Sequence, residues 1–375
     1  MKRSQATLAP WHSWSTSFLT SEIRHSIERM RAWPDVERLI ALPDVHLAGN
    51  TCNGAVVATR ERIYPAAVGA DIGCGMTALP LRTSIAFQED LAKLHAILKD
   101  WQRGVAILKS SSVDFEAIPS LNALSAQSLQ VAAERDGRYQ LGTLGRGNHF
   151  LELQIDTQDN LWLLVHSGSR VMGQIVTAFH EAKAEISKGA PAYFIAESEL
   201  GHAYQTDLTW CRRYASANRQ AILRRALELL ADIAPCDADF TASRETDHNH
   251  LETRAGLLIH RKGAQGIAKG GWGVIPGSMA TATYHVEGRG SPEALDSCSH
   301  GAGRQLSRTN AIQKLTTREV RRSLAGVMHD DSQLTRIFDE APGAYRDIEA
   351  VMRAQRELVR RTNELHPLLT LKGGR

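Results

Sequence analysis

Leu161-Trp162-Leu163-Leu164-Val165-His166-Ser167-Gly168-Ser169-Arg170 sets an apolar run directly against a polar, glycine-containing tract. The first five residues suit a strand buried on both faces, and the rest has the composition of a loop. Gly273-Val274-Ile275 runs into Pro276-Gly277-Ser278 in the same way, and Leu368 to Leu371 runs into Lys372-Gly373. Short buried strands that empty into polar loops therefore organise the chain, with helices between them. Residues 20–33 read as an amphipathic helix, with Thr20 or Ser21 as N-cap, Ile23, Ile27 and Met30 on one face, and Pro34 as its stop. A second helix is predicted over 216–233 from Ile222, Leu223, Ala226, Leu227 and Leu230, ahead of Pro235. A third is predicted from Tyr345 to Leu365, where Ile348, Met352, Leu358 and Leu365 fall near helical spacing before Pro367. Strands and helices are interspersed without the regular alternation of a doubly wound sheet, and no Pro/Ser-rich linker or internal repeat divides them. The expected fold is α+β: one complex domain over residues 1–375, with mixed β-sheets and peripheral helices.

With 375 residues, 43% hydrophobic and 23% charged, the composition is that of a globular protein able to bury a large core. A formal net charge of +3 does not by itself call for a nucleic acid. The chain beyond Gly301 holds more Lys and Arg than Asp and Glu, but such an excess is more often a solvated helix face than a polyanion site. The five cysteines, at 52, 74, 211, 236 and 298, are odd in number and form no CxxC pair, which argues against a disulfide framework or a zinc ribbon and for a reduced compartment. Lys2 and Arg3 precede no apolar leader segment, and no run of about 18 apolar residues occurs. A cytoplasmic protein with no membrane partner is expected.

The chemistry concentrates in the glycine-rich tracts. Ser299-His300-Gly301-Ala302-Gly303-Arg304 puts one imidazole among residues too small to shield it and ends in a guanidinium. Glycine admits a bulky charged ligand to the backbone, a neutral imidazole nitrogen is a nucleophile, and Arg304 suits bidentate capture of a phosphate. Taken alone this is as readily a surface loop. Yet similar tracts recur at Asp44-Val45-His46, Gly69 to Met76, Gly142 to His149, Asp247-His248-Asn249-His250 and Pro276-Gly277-Ser278, and convergence on one polar site accounts for them together. Asp71, Cys74, His149, His166 and His248 supply one carboxylate, one thiol and three imidazoles, a donor set for a divalent transition metal in which a thiolate can bridge two ions. Any one of them is more often a packed core residue; all five at once are not. Asn148, Ser278 and Lys372 suit a nucleotide, although neither GxxxxGK[ST] nor GxGxxG occurs in a strand-to-helix setting, so a nucleotide would bind outside the P-loop and dinucleotide-binding schemes.

Taken in order, these tracts resemble the RtcB family of RNA-splicing ligases from about Pro43 to Gly373. The resemblance rests on Asp71-Ile72-Gly73-Cys74-Gly75-Met76, Asn148-His149, His166 to Arg170, His260-Arg261-Lys262-Gly263-Ala264, Pro276-Gly277-Ser278-Met279, His300 to Arg304, Asp339-Glu340-Ala341-Pro342 with Tyr345, and Leu371-Lys372-Gly373. It implies a ligase dependent on two Mn2+ ions and GTP that joins an RNA 3′-phosphate or 2′,3′-cyclic phosphate end to a 5′-hydroxyl end, in RNA repair or tRNA splicing. His300 would attack the α-phosphorus of GTP to give a histidine-GMP species, GMP would pass to the RNA 3′-phosphate, and the 5′-hydroxyl would displace it. One ion would use Cys74, His166 and His248, and the other Asp71, Cys74 and His149. Asn148, Glu152, Asn249, Pro276, Ser278, Ala302, Gly303, Tyr345 and Lys372 would join His300 in holding the nucleotide, with Tyr345 against guanine. Asp44 would orient ligands or move a proton. The short chain resembles the compact bacterial branch coupled to a release-factor-like protein, and the partners implied are RNA and either that protein or an archease-like activator.

Departures from the family pattern fall outside the implied ligands: Arg146 where glycine is common, Val171-Met172 after the His166 tract, Ala280 and Thr283 where Gly and Ser are usual, and residues 47–54. Arg146 places a fixed charge beside His149, which suits an extra RNA phosphate. A metal-dependent phosphoesterase using the same cluster, and a non-catalytic RNA-binding protein with a relic site, are the alternatives from other classes.

Overall fold

The computed structural model describes residues 8–14, 16–83, 87, 90–106, 118–331, 334 and 337–373. Two antiparallel-rich sheets carry the α+β fold. The smaller has the order 11–13, 36–48, 51–59, 257–262, 249–254, with only its first pair parallel. The larger runs 244–247, 75–83, 161–167, 150–156, 359–372, 283–288, 272–276, with 236–238 beside the far end of 75–83.

The strand Leu161–Ser167 is buried on both faces, as its unbroken apolar run predicts. Leu163 and Val165 enter a core with Trp101, Ile222, Leu223 and Ala226, while Leu164 faces Met76, Phe150 and Val274 on the other side. Opposite faces of one pleated strand thus serve two cores, and no polar alternation survives. The helix Ser21–Met30 matches its expected start, with the Thr20 hydroxyl accepting from Ile23 N and Ile23, Ile27 and Met30 buried.

The second predicted helix is the C-terminal part of a helix running Glu199–Ala231. Its first half packs Tyr204, Leu208, Trp210, Cys211 and Tyr214 into one core, and its second half packs Ile222, Leu223 and Ala226 into another. A helix shared between cores shows no single apolar stripe, which hides its beginning.

The third helix is corrected. Only Ile348–Ala354 is helical, capped by the Asp347 side chain, and Val359–Lys372 is a strand. Val359 and Leu365 are buried six positions apart, an even spacing that puts them on one side of a strand. Pairing with 283–288 and 150–156 overrides the near-helical spacing, and Pro367 sits beside a register shift where its missing N–H is tolerated. No helix among the described residues is long and apolar enough to cross a membrane, and all five cysteines are free.

Candidate active site

The chain crosses from the larger to the smaller sheet at His248: Asp247 pairs with Gly75 in one, and Asn249 pairs with Lys262 in the other. At that junction the larger sheet delivers Cys74 just before its strand 75–83, His166 near the end of 161–167, and His149 just before 150–156. Cys74 Sγ lies 3.3 Å from His149 Nε2 and 3.3 Å from His166 Nε2; His166 Nε2 lies 3.3 Å from His248 Nε2, and His149 Nε2 lies 3.0 Å from Asp71 Oδ2. Two donor groups result, Cys74 with His166 and His248, and Asp71 with Cys74 and His149, each with its ligand atoms within 4.8 Å of one another and both sharing the thiol.

The tautomers follow from the other ring nitrogens. His149 Nδ1 donates to Leu144 O at 2.8 Å and His166 Nδ1 to Asn148 O at 3.2 Å, which leaves both Nε2 lone pairs aimed at Cys74. Burial, reinforced by neighbouring imidazoles, holds His166 and His248 well below the usual histidine range, so both are neutral. Burial, with Asp71 beside it, pushes the Cys74 thiol well up. Burial opposes ionisation of Asp71 as well, but His149 and the Cys74 thiol outweigh it and the carboxyl lies below its ordinary value. Converging bare lone pairs, a thiol and an ionised carboxylate fit a divalent transition ion.

The loops are fixed from behind by two buried polar residues of the long helix. Asn218 Oδ1 accepts from Gly142 N and Thr143 N, and its amide donates to Thr143 O and Ser167 Oγ. Arg219 donates to Gly73 O at 2.9 Å and Ser167 O at 2.8 Å and pairs with Glu245 at 2.5 Å. These two side chains tie together the loops bearing Cys74, His149 and His166. Gly168 is required by close approach: a Cβ there would lie 2.1 Å from Asp71 Oδ1.

His300 follows the strand Ser297–Ser299, and Asp44 lies where the pairing of 36–48 with 51–59 breaks register. Asp44 Oδ2 accepts from both His300 N at 3.0 Å and His300 Nδ1 at 2.7 Å. With Nδ1–H so engaged, Nε2 is the free nucleophilic nitrogen. The His300 ring lies 4.6 Å from that of His248.

His300 lines a cavity of about 350 Å³ with Asn148, Glu152, Pro276, Ser278, Ala302, Gly303, Tyr345 and Lys372, which brings the predicted nucleotide residues other than Asn249 to one place. Burial pushes the Glu152 carboxyl up to about 7, although Lys372, Gln154 and Thr370 favour its charged form. Asn249 lies to one side: its amide donates to Asp71 O at 3.0 Å and its oxygen accepts from Gly263 N at 2.8 Å, so it braces the Asp71 loop.

Arg304 also differs from expectation. Its guanidinium donates to Leu306 O and Asp339 O and pairs with Glu340 at 3.3 Å, so it is a strut of the wall and not an open phosphate clamp. His260 and Arg261 are structural ties to Tyr64 N and to Glu252 and Ser297. Asn218, Arg219 and Arg308 escaped sequence reading, since a polar residue inside a helical pattern reads as solvent-facing. Arg146 is exposed in the loop before His149.

The sequence profile described as "tRNA-splicing ligase RtcB" matches residues 26–116 and 101–373. The chain is 32% identical over 403 residues to "RNA-splicing ligase RtcB" of Escherichia coli K12, covering 97% of this chain and 98% of that one. It is 27% identical to "tRNA-splicing ligase RtcB" of Nanoarchaeum equitans, covering 86% and 85%, and 26% identical to "RNA-splicing ligase RtcB" of Mycobacterium tuberculosis, covering 89% and 96%. The matched span runs through every part of the site, from Asp44 to Lys372, and the chain belongs to the RtcB family of RNA-splicing ligases.

Proposed function

We propose that this protein is an RNA ligase that joins RNA 3′-phosphate or 2′,3′-cyclic phosphate ends to 5′-hydroxyl ends, with GTP as co-substrate, two manganese ions and His300 as the attachment point for the guanylyl group. The observation that carries the reading is the Asp44–His300 pair at 2.7 Å, which opens onto the cavity beside the Cys74 cluster. Asp44 holds the His300 Nδ1 proton and so keeps the Nε2 lone pair available. That lone pair forms a bond to the α-phosphorus as pyrophosphate leaves. Asp44 stabilises the imidazolium character that develops, by the logic of a carboxylate-oriented histidine. The guanylyl group then passes from His300 to an RNA 3′-phosphate oxygen, and attack by the 5′-hydroxyl on the 3′-phosphorus expels GMP. Activation is needed because a 3′-phosphate has no good leaving group of its own.

Asp71, Cys74, His149, His166 and His248 would hold the two ions, which supply positive charge at the phosphates when bound. Asn148, Ser278 and Lys372 would position the phosphates, and Glu152 and Tyr345 the base. We take the chain as one ligase domain, because the site draws on both sheets. The free cysteines favour a reducing compartment, the cytoplasm. Arg146, exposed next to the His149 loop, favours broken ends within structured RNA over generic single strands.

Incubation with α-labelled GTP and manganese tests the reading. A ligase retains acid-labile, alkali-stable label on the protein and then joins a 3′-phosphate to a 5′-hydroxyl oligonucleotide. A metal-dependent phosphoesterase retains none. Equal joining of unstructured oligonucleotides, nicked tRNA and nicked rRNA fragments, unchanged by Arg146→Gly, would remove the substrate preference while leaving the ligase reading intact.

A further inference from the structure

Glu340 ends a single 3-10 turn, Phe338–Glu340, behind the cavity wall, and is 3% exposed. Its Oε1 accepts from Arg304 Nη1 at 3.3 Å and Arg308 Nη1 at 2.5 Å. Its Oε2 accepts from the Tyr345 hydroxyl at 2.5 Å and faces Lys372 Nζ at 3.6 Å. All four partners line the cavity that holds His300. We propose that Glu340 is a positioning residue: one buried carboxylate that holds Arg304, Arg308, Tyr345 and Lys372 in register as a receptor for a polyphosphate, and at the same time restrains their affinity for it.

The argument is electrostatic. Three cations crowded on one wall repel one another strongly in a partly dry site, and without a shared counter-ion they would swing apart. Asp339 and Glu340 are two carboxylates against those three cations, so the wall keeps a positive excess that an entering anion meets. The partners differ in how firmly they are held. Arg304 has backbone acceptors at Leu306 and Asp339 in addition to Glu340. Tyr345 is a permanent donor, since burial and Glu340 push its hydroxyl well up. Lys372, at 3.6 Å, has the loosest tie, and Arg308 keeps a 45% exposed side chain whose Nη2 lies 3.4 Å from where a Cβ on Gly147 would sit. A polyphosphate would therefore draw Lys372 and the free edge of Arg308 toward itself while Arg304 and Tyr345 stay fixed. Glu340 competes for the same cations, which lowers ground-state binding and spends that difference on geometry.

A merely structural Glu340 and a positioning Glu340 differ in sign. Glu340→Gln keeps the shape and removes the charge. Titration of the manganese-loaded protein with inorganic tripolyphosphate, in excess manganese, should then show affinity raised about tenfold, as expected for one charge removed from a partly screened site. The rate of protein labelling at saturating GTP should fall at least tenfold, a split between binding and turnover. Affinity unchanged or weakened would overturn the proposal. If that variant does not fold, Arg308→Gln, at a half-exposed side chain, still reads it: tripolyphosphate affinity must fall about tenfold, and no change would overturn it. Only the labelling readout rests on the ligase reading. An unlabelled parent protein would defeat that reading, whereas the tripolyphosphate shift judges Glu340 on its own.

Discussion

Around Cys74 the buried groups are mostly neutral and present bare lone pairs, whereas around Glu340 they are charged and already paired. The first arrangement removes desolvation by shifting titration: His166 and His248 stay neutral and the thiol keeps its proton until a cation arrives. The second meets desolvation with opposite charge, because Arg and Lys cannot shed their protons so easily. One half of the site is incomplete without a cation. The other is complete but exchangeable, and an anion enters by taking over partners that the protein supplies to itself.

If the two halves are separable in this way, His300→Ala should abolish guanylyl labelling while manganese content stays near the parent's, measured by metal analysis of the purified variant. Persistent label would break the comparison at its centre. Cys74→Ser should lower bound manganese more than any single imidazole substitution, since one thiolate serves both donor groups and a serine hydroxyl does not ionise near neutrality. Unchanged stoichiometry would mean that the thiol only packs. Asp44→Asn keeps the hydrogen-bonding shape but loses the charge that orients His300, and the labelling rate should drop by about 10² to 10⁴ with metal content unaffected.

Smaller effects sharpen the role of the scaffold. Arg219→Leu leaves Gly73 O, Ser167 O and Glu245 without their donor and should destabilise the protein by about 3 kcal/mol in denaturant unfolding, with metal content falling as the loops loosen. Full metal loading in that variant would show that the loops hold their shape without the helix. The least effect concerns pH. Burial depresses His260 from 6.5 to about 4, so the unfolded chain binds a proton there that the folded protein refuses. The stabilisation is fully present above about 6.5 and is lost as pH falls toward about 4, at roughly 1.4 kcal/mol per pH unit at its steepest. His260→Gln should remove about one proton from the pH dependence of unfolding in that window, and an unchanged slope would assign it to other histidines.

Local patterns in the chain were sufficient for a good deal. The strand Leu161–Ser167 was legible because burial on both faces leaves no polar position, and the helix Ser21–Met30 because its cap and stripe are local. The glycine-rich tracts revealed their own importance, since glycine beside histidine has little packing use. Order along the chain, set against the RtcB pattern, then identified Asp71, Cys74, His149, His166, His248 and His300 as a set, residues up to 229 positions apart in the chain.

What the tertiary structure decided is where non-local partners overrule local preference. Val359–Leu365 has near-helical spacing, yet two neighbouring strands take its backbone. Arg304 has the look of a phosphate clamp, yet Asp339 and Glu340 claim it. Asn218 and Arg219 occupy unremarked helical positions, yet they knit three loops that are distant in sequence. The physical reason is the same each time: a residue's type states which bonds it can make, and only the packed fold determines which donors and acceptors lie within reach when water is excluded.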